Sequence, residues 1–446
     1  ENKTGATNQN PAPFYVDSDT QYGANVNAVR YDDNLNASTI ASGVLTRATG
    51  AKIVTGASGV AATAPVDAYG PFGYLAEGAR TNLQTYSGIP NAQWGKTGTT
   101  ITDNSGVALD GTTTASLVTA SAGNTRHDIN LTGGLNPGAG TTVTASVFIK
   151  PGTVGWFSVV DSQNAQASAK FNATTGVVGG TAGAGFVSSA IEAKGNGWYR
   201  ATMVYTTGAA ASVGLLISVA DTEAHAEDTS LTAWNAAGTE TGYVSWGGIE
   251  AASFASSYIP TTTVAVARNA DVLTYPTSGN IIGTQGTAYA EATMAGVSPN
   301  AGALINLANN SNGFYYDTSL TSFIFDGVNA ILTANTAPLG AMAKLAGAWG
   351  GSTLSAVLNG GTVASGSFDG DMNPAASFAV GNSINGSSNP LFGTIRGVRV
   401  LPVALGSDTL QIKTSLFGAP VYVDLRDSRY AIAANDVEFL MRANGR

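Results

Sequence analysis

From Val143 to Lys150 the chain reads Val143-Thr144-Ala145-Ser146-Val147-Phe148-Ile149-Lys150, with every odd position apolar and most of them β-branched. A two-residue period puts alternate side chains on opposite faces of a pleated strand, and no helix satisfies it. Pro151-Gly152 then closes the segment with a turn. The same kind of run returns at Trp156-Phe157-Ser158-Val159-Val160, at Trp198-Tyr199-Arg200-Ala201-Thr202-Met203-Val204-Tyr205 and at Val213 to Val219. Strand-like runs at roughly ten-residue spacing between Gly-rich turns argue for a β-sandwich.

Composition points the same way. Glycine supplies 56 of 446 residues and charged residues only 11%, against about 25% in an average globular chain. Gly, Thr, Ser and Asn are poor helix formers, whereas Gly and Asn serve tight turns. Hydrophobic residues at 43% are enough for a packed core, which excludes disorder for most of the length. The exception is the polar, Asn- and Pro-bearing stretch before about residue 36, expected as an extended arm. The net charge of −9 and the lack of any basic run argue against a nucleic-acid partner and against an anionic membrane surface. Cysteine is absent, so disulfides, thiolate metal sites and cysteine nucleophiles are excluded. No apolar run approaches the ~20 residues of a membrane-spanning helix, and no membrane insertion is expected.

Two segments frame the first sandwich: Gly73-Tyr74-Leu75-Ala76-Glu77-Gly78-Ala79-Arg80-Thr81-Asn82-Leu83 and Ser253-Phe254-Ala255-Ser256-Ser257-Tyr258-Ile259-Pro260-Thr261. Their order resembles a module of bacteriophage tail-fibre and virion-surface proteins. That module is a carbohydrate-binding-module-like jelly roll that begins with G-L-L-x-E-x-x-R-T-N-L and ends with S-F-x-x-S-Y-I-P-T. The resemblance covers roughly residues 70 to 275. It departs at Trp246-Gly247-Gly248-Ile249-Glu250-Ala251-Ala252, which is one residue short and lacks the Gln of the pattern. The resemblance implies a structural role for Glu77 and Arg80, as an ion pair partly buried by Tyr258. Farther on, Ala346-Gly347-Ala348-Trp349, Leu358-Asn359-Gly360 and Phe392-Gly393-Thr394-Ile395-Arg396-Gly397-Val398-Arg399-Val400 follow one another as in a concanavalin-A-like, laminin-G-type jelly roll.

The fold expected from these signals is mostly β: two jelly-roll sandwiches in tandem, an extended N-terminal arm and a short C-terminal tail. Residues 1–86 form the arm and a short β segment, serving attachment or oligomerisation. Residues 87–268 form the first jelly roll, 269–286 a linker, 287–418 the second jelly roll and 419–446 the tail, with a strand at Val421–Leu425 and a helix over Ala431–Met441.

Chemistry is sparse. Neither of the two histidines, His127 and His225, accompanies a nucleophile elbow. The E-x-D-x-x-E strand of some jelly-roll glycanases is missing, and Asp369-Gly370-Asp371 looks like a turn. No catalytic residue is assigned. Asp221, Glu223, Glu227 and Asp228 crowd around His225. They are expected first as a solvated loop and, in the alternative, as a Ca²⁺ site, although the spacing is not that of an EF-hand. No other cofactor is expected. For sugar stacking beside polar loops the candidates are Trp234, Tyr315 and Tyr316, whereas Trp156, Trp198, Trp246 and Trp349 lie in strand patterns and belong to cores.

The resemblance implies a structural protein on the virion surface of a tailed bacteriophage: a fibre, spike or head-decoration subunit. Its partners would be other virion proteins, itself as a homotrimer, and host cell-surface polysaccharide contacted without catalysis. The alternatives are a purely structural capsid or tail decoration subunit, a polysaccharide depolymerase, and a bacterial adhesin.

Overall fold

The structure is a computed structural model that describes residues 74–308, 311–386 and 388–415, together with the backbone of six short strands between Phe14 and Ala64. The described residues are almost all strand, with one helix, Ser407–Thr414. They build two antiparallel β-sandwiches.

The first sandwich has two six-stranded sheets. The front sheet runs, in spatial order, Thr99–Gly106, Ala115–Ala120, Thr241–Glu250, Thr142–Pro151, Trp198–Thr206 and Phe186–Gly195. The back sheet runs Val177–Ala182, Ser168–Asn172, Trp156–Asp161, Val213–Ala220, Asp128–Leu135 and Gly95–Thr97. Val143, Val147 and Ile149 enter one core with Phe157, Val159, Leu215 and Ile217. Burying each such side chain stabilises the fold by about 1.5–3 kcal/mol.

The even positions Thr144, Ser146 and Phe148 are buried too, because the outer face of the front sheet is itself covered. Phe148, Trp198, Trp246 and Tyr258 form a second apolar layer there. Trp246 reaches that face through a bulge. The ladder shifts register between Ser146 and Phe148, and Trp246 adopts a left-handed φ of 49°. Tyr258 stacks on Trp246 at 5.2 Å and its hydroxyl meets Ser87 Oγ at 2.6 Å. The segment that ends the module thus seals this face.

The second sandwich has a nine-stranded and a seven-stranded sheet. Leu345, Trp349 and Leu354 from one pack against Leu304, Phe314, Tyr316, Ile324 and Phe378 from the other. Helix Ser407–Thr414 lays Leu410 on Ala346, Ala348 and Val357.

The pairing of strands revises the expected boundaries. Phe14–Val16 and Tyr74–Ala76 both pair with Gly393–Leu401, and Val44–Thr46 pairs with Val272–Pro276. Strands from 1–86 therefore complete the second sandwich, and the stretch expected as a linker at 269–286 contributes a strand to it. The first sandwich is inserted between Tyr74–Ala76 and Val272–Pro276. The expected strand at Val421–Leu425, the expected helix over Ala431–Met441 and the 419–446 tail lie outside the described residues.

The two crossings between sandwiches sit on a buried charge network, in place of the single Glu77–Arg80 pair expected. Glu77 meets Arg268 at 3.1 Å and accepts from the Ser257 backbone N–H at 2.7 Å. Arg80 meets Glu250 at 3.6 Å, and its guanidinium lies 4.8 Å from the ring centre of Phe254 and 4.2 Å from that of Phe392. Phe254 belongs to the inserted module and Phe392 to the second sandwich, so the cation clasps both. Burial pushes the Glu250 carboxyl up, opposed by Arg200, Arg268 and Arg80.

Candidate functional site

The residues picked out around Trp234 come together as a polar cluster that is buried at Trp234 and Glu227 and exposed at Asp221 and Glu223. Strand Trp234–Ala236 pairs with Gly123–Thr125 beside the end of the back sheet, and Trp234 is only 5% exposed. Both histidines of the chain touch it. His127 meets the indole edge-on at 4.8 Å, and His225 lies parallel to it at 4.9 Å with an interplanar angle of 5°. His127 is fully buried; its Nδ1 is 2.6 Å from the Gly98 carbonyl oxygen and its Nε2 3.1 Å from that of Trp234. Nearly buried, with His225 stacked on one face and His127 against it at a steep angle, Trp234 offers no open platform to a sugar.

The acidic loop does not gather its carboxylates around one point, and among the described residues no three His, Asp or Glu side chains converge as metal ligands. Asp221 Oδ1 is 2.6 Å from His225 Nδ1. Glu223 turns back to accept the Gly180 N–H at 2.7 Å. Asp228 accepts the Ser230 N–H at 2.7 Å. Glu227 alone points inward, against Asp128 and Arg126. The Arg126 guanidinium lies 2.8 Å from Asp128 and 3.4 Å from Glu227. Burial first, and the neighbouring Asp128 second, push the Glu227 carboxyl up to about 8. The loop is held by four separate contacts, with Asp221 and Glu223 exposed to solvent, His225 and Asp228 partly buried and Glu227 buried.

Tyr315 and Tyr316 are 2% and 1% exposed. Adjacent positions of one strand face opposite ways, so Tyr316 lies in the main core and Tyr315 on the outer face of the seven-stranded sheet. The Tyr315 hydroxyl accepts from Asn306 Nδ2 at 2.7 Å and donates to the Asn312 carbonyl at 3.1 Å. Burial raises both phenols above their ordinary range. Neither tyrosine presents a free face.

What the sequence pattern did not single out lies next to Tyr315. In strand Thr321–Asp326, Ile324 enters the core while Phe323 and Phe325 stay half-buried on the outer face. Tyr315 is in register with Phe323, and Phe323 with Leu332. Phe323 stacks on Tyr315 at 5.2 Å, and Leu332 is 50% exposed. Phe325 pairs with Ala330, which is exposed, at the next outward position. Tyr315 is the buried end of an aromatic row whose outer members are Phe323 and Phe325. The alternation Ser322-Phe323-Ile324-Phe325 was legible; which side faced out was not, because that depends on which face the opposite sheet covers.

No family model matches the chain, and no curated protein sequence matches it. Among solved structures, the chain is similar in part to the carbohydrate-binding module of Ruminococcus gnavus IT-sialidase bound to α2,3-sialyllactose. That likeness has 14% identity, covers 30% of this chain and 84% of the other, and has a TM-score of 0.26. Domain 4 of a Geobacillus stearothermophilus extracellular arabinanase, in complex with arabinotriose, is 16% identical over 36% of this chain and 82% of its own, with a TM-score of 0.27. Domains LG4-5 of the mouse laminin α1 chain are 11% identical over 64% of this chain and 90% of theirs, with a TM-score of 0.22. No residue role is taken from any of them.

Proposed function

We propose that this chain is a non-catalytic display protein on the virion surface of a tailed bacteriophage, a fibre, spike or head-decoration subunit that contacts host surface polysaccharide through its second sandwich. The observation that carries the glycan reading is the partly exposed aromatic row of Phe323 and Phe325, with Phe323 stacked on Tyr315. A sugar ring buries its C–H face against an aromatic face, and flat preformed aromatics lose little conformational freedom on contact. Exposed Leu332 and Ala330 border the row, a setting that suits weak individual contacts. Several copies, arranged as a homotrimer and held by other virion proteins, would raise weak contacts to useful avidity. The virion placement rests on the resemblance of the framing segments around Glu77, Arg80 and Tyr258.

The test is a glycan array with the intact chain, repeated with Phe323→Ala. Binding to bacterial surface polysaccharide that drops at least tenfold in the variant supports the reading. Binding that survives the substitution unchanged moves the site elsewhere and overturns this assignment. Absence of binding, with the chain found on purified particles that lose stability on its deletion, favours a purely structural decoration subunit. Release of reducing sugar from the polysaccharide would make the chain a depolymerase instead.

A further inference from the structure

The seven-stranded sheet, on whose outer face Phe323 and Phe325 stay partly exposed, carries almost no charge. Four of its strands lie between Gly302 and Ala343, and that stretch holds two carboxylates, Asp317 and Asp326, and no Lys, Arg or His. Its other strands, Val44–Thr46, Val272–Pro276 and Ser377–Val380, hold no charged residue. The nine-stranded sheet differs: Glu291, Lys344 and Arg399 lie in its strands.

Both carboxylates are engaged in turns. Asp317 accepts the N–H groups of Ser319 and Thr321, each at 2.8 Å. One oxygen of Asp326 accepts those of Val328 at 2.8 Å and Asn329 at 2.5 Å, and the other accepts that of Asp369 at 3.1 Å. The turns at the two ends of strand Thr321–Asp326 thus hold anions already supplied with N–H donors, and their sequences bring no cation.

The row itself is apolar. Phe323 and Phe325 are two residues apart on one face, about 7 Å along the strand. Leu332 and Ala330 are exposed opposite them, and Val328 is 73% exposed in the turn that follows. On its other side Phe325 faces Gly313, which has no side chain. The face of a phenyl ring is the negative part of its quadrupole and attracts no anion. A sugar carboxylate brought against these rings would lose water without gaining a donor. The net charge of −9 adds long-range repulsion. An amino sugar, in turn, finds the two carboxylates of the flanking turns already held by backbone N–H groups.

Resting on the glycan reading of this row, we propose that its ligand is an uncharged polysaccharide, laid along strand Thr321–Asp326 with neighbouring sugar rings on Phe323 and Phe325 and held by C–H contact rather than by charge. Acidic polysaccharides are turned away because the face supplies no cation to receive them.

The intact chain and Phe323→Ala are applied to an array of bacterial polysaccharides that includes dextran and mannan as uncharged probes, alginate and polysialic acid as acidic ones and chitosan as a basic one. Binding is read at about 0.05 and 0.5 M NaCl, a range over which exposed charges become strongly screened. The glycans that lose at least tenfold of their binding in Phe323→Ala are expected to be uncharged and to vary less than about twofold with salt. Ala330→Lys, an exposed substitution opposite Phe325, is expected to raise binding of the acidic probes by about two- to fivefold at low salt, and the gain is expected to vanish at high salt. Phe323-dependent glycans that are acidic or basic, or Phe323-dependent binding that falls tenfold with salt, overturn the uncharged class while the site stands. An array on which no binding depends on Phe323 overturns the site, and this inference with it. Acidic probes that do not respond to Ala330→Lys overturn the exclusion by missing charge. Phe323→Leu, which keeps apolar packing without the ring, takes the place of the alanine variant if that one does not fold.

Discussion

The front sheet of the first sandwich and the seven-stranded sheet of the second both carry aromatic side chains on their outer faces. On the first, the segment that ends the module folds back, stacking Tyr258 on Trp246 beside Phe148. Arg200 adds its guanidinium 5.3 Å above the Phe148 ring centre and donates to the Ser256 carbonyl at 2.6 Å. On the second, Tyr315 is covered, but Phe323 and Phe325 stay partly exposed. An aromatic pair in a strand is therefore not in itself a binding surface. The chain that returns over it decides whether it becomes a second core or remains a face.

The largest effect that can break this contrast lies at the junction. Arg268→Ala leaves the Glu77 carboxylate buried without its cation, and should lower stability by about 3–5 kcal/mol in urea denaturation. A loss well below that would mean the two sandwiches do not depend on the network. Next comes the sealed face: Trp246→Ala should cost roughly 3 kcal/mol, because the bulge that turns it outward also places it under Tyr258. If it costs no more than a surface substitution, the front sheet is open and the contrast fails.

The pH dependence is smaller and has a defined sign. Folding raises the Glu227 carboxyl from 4.5 to about 8, so the native chain holds a proton that the unfolded chain gives up. That contribution is full below about pH 4.5 and is lost as pH rises towards 8. The urea midpoint of the wild type should fall over this interval, and that of Glu227→Gln should fall less. The smallest stability change belongs to the open face. Phe323→Ala should cost roughly 1–2 kcal/mol, since part of its area is already exposed, while reducing glycan binding at least tenfold. A large loss of stability there would make Phe323 a core residue and remove the difference between the two faces.

The strands were legible wherever a local period carried the information. Val143 to Lys150 alternates, and the odd set does form the core. Trp198 and Trp349 lie in strand runs and are buried. The candidate site was legible only in part. Tyr315 was singled out and lies in the aromatic row, but Phe323 and Phe325, its open members, were not. Trp234 was singled out as a platform and the acidic residues as a solvated loop or a metal site; the fold buries Trp234 and Glu227 and leaves Asp221 and Glu223 exposed.

Residue types and spacing by themselves determined that this chain is built of short strands, has no thiol chemistry and carries little charge, since those depend on local backbone preference and on side-chain identity. Tertiary structure alone decided that Glu77 meets Arg268, that Val44–Thr46 pairs with Val272–Pro276 across the inserted sandwich, and that Glu227 turns inward to Arg126. Those partners lie far apart in sequence, and no local preference encodes them. Each is set by where the chain returns after its turns, and by the cost of leaving a charge or a backbone group buried without a partner.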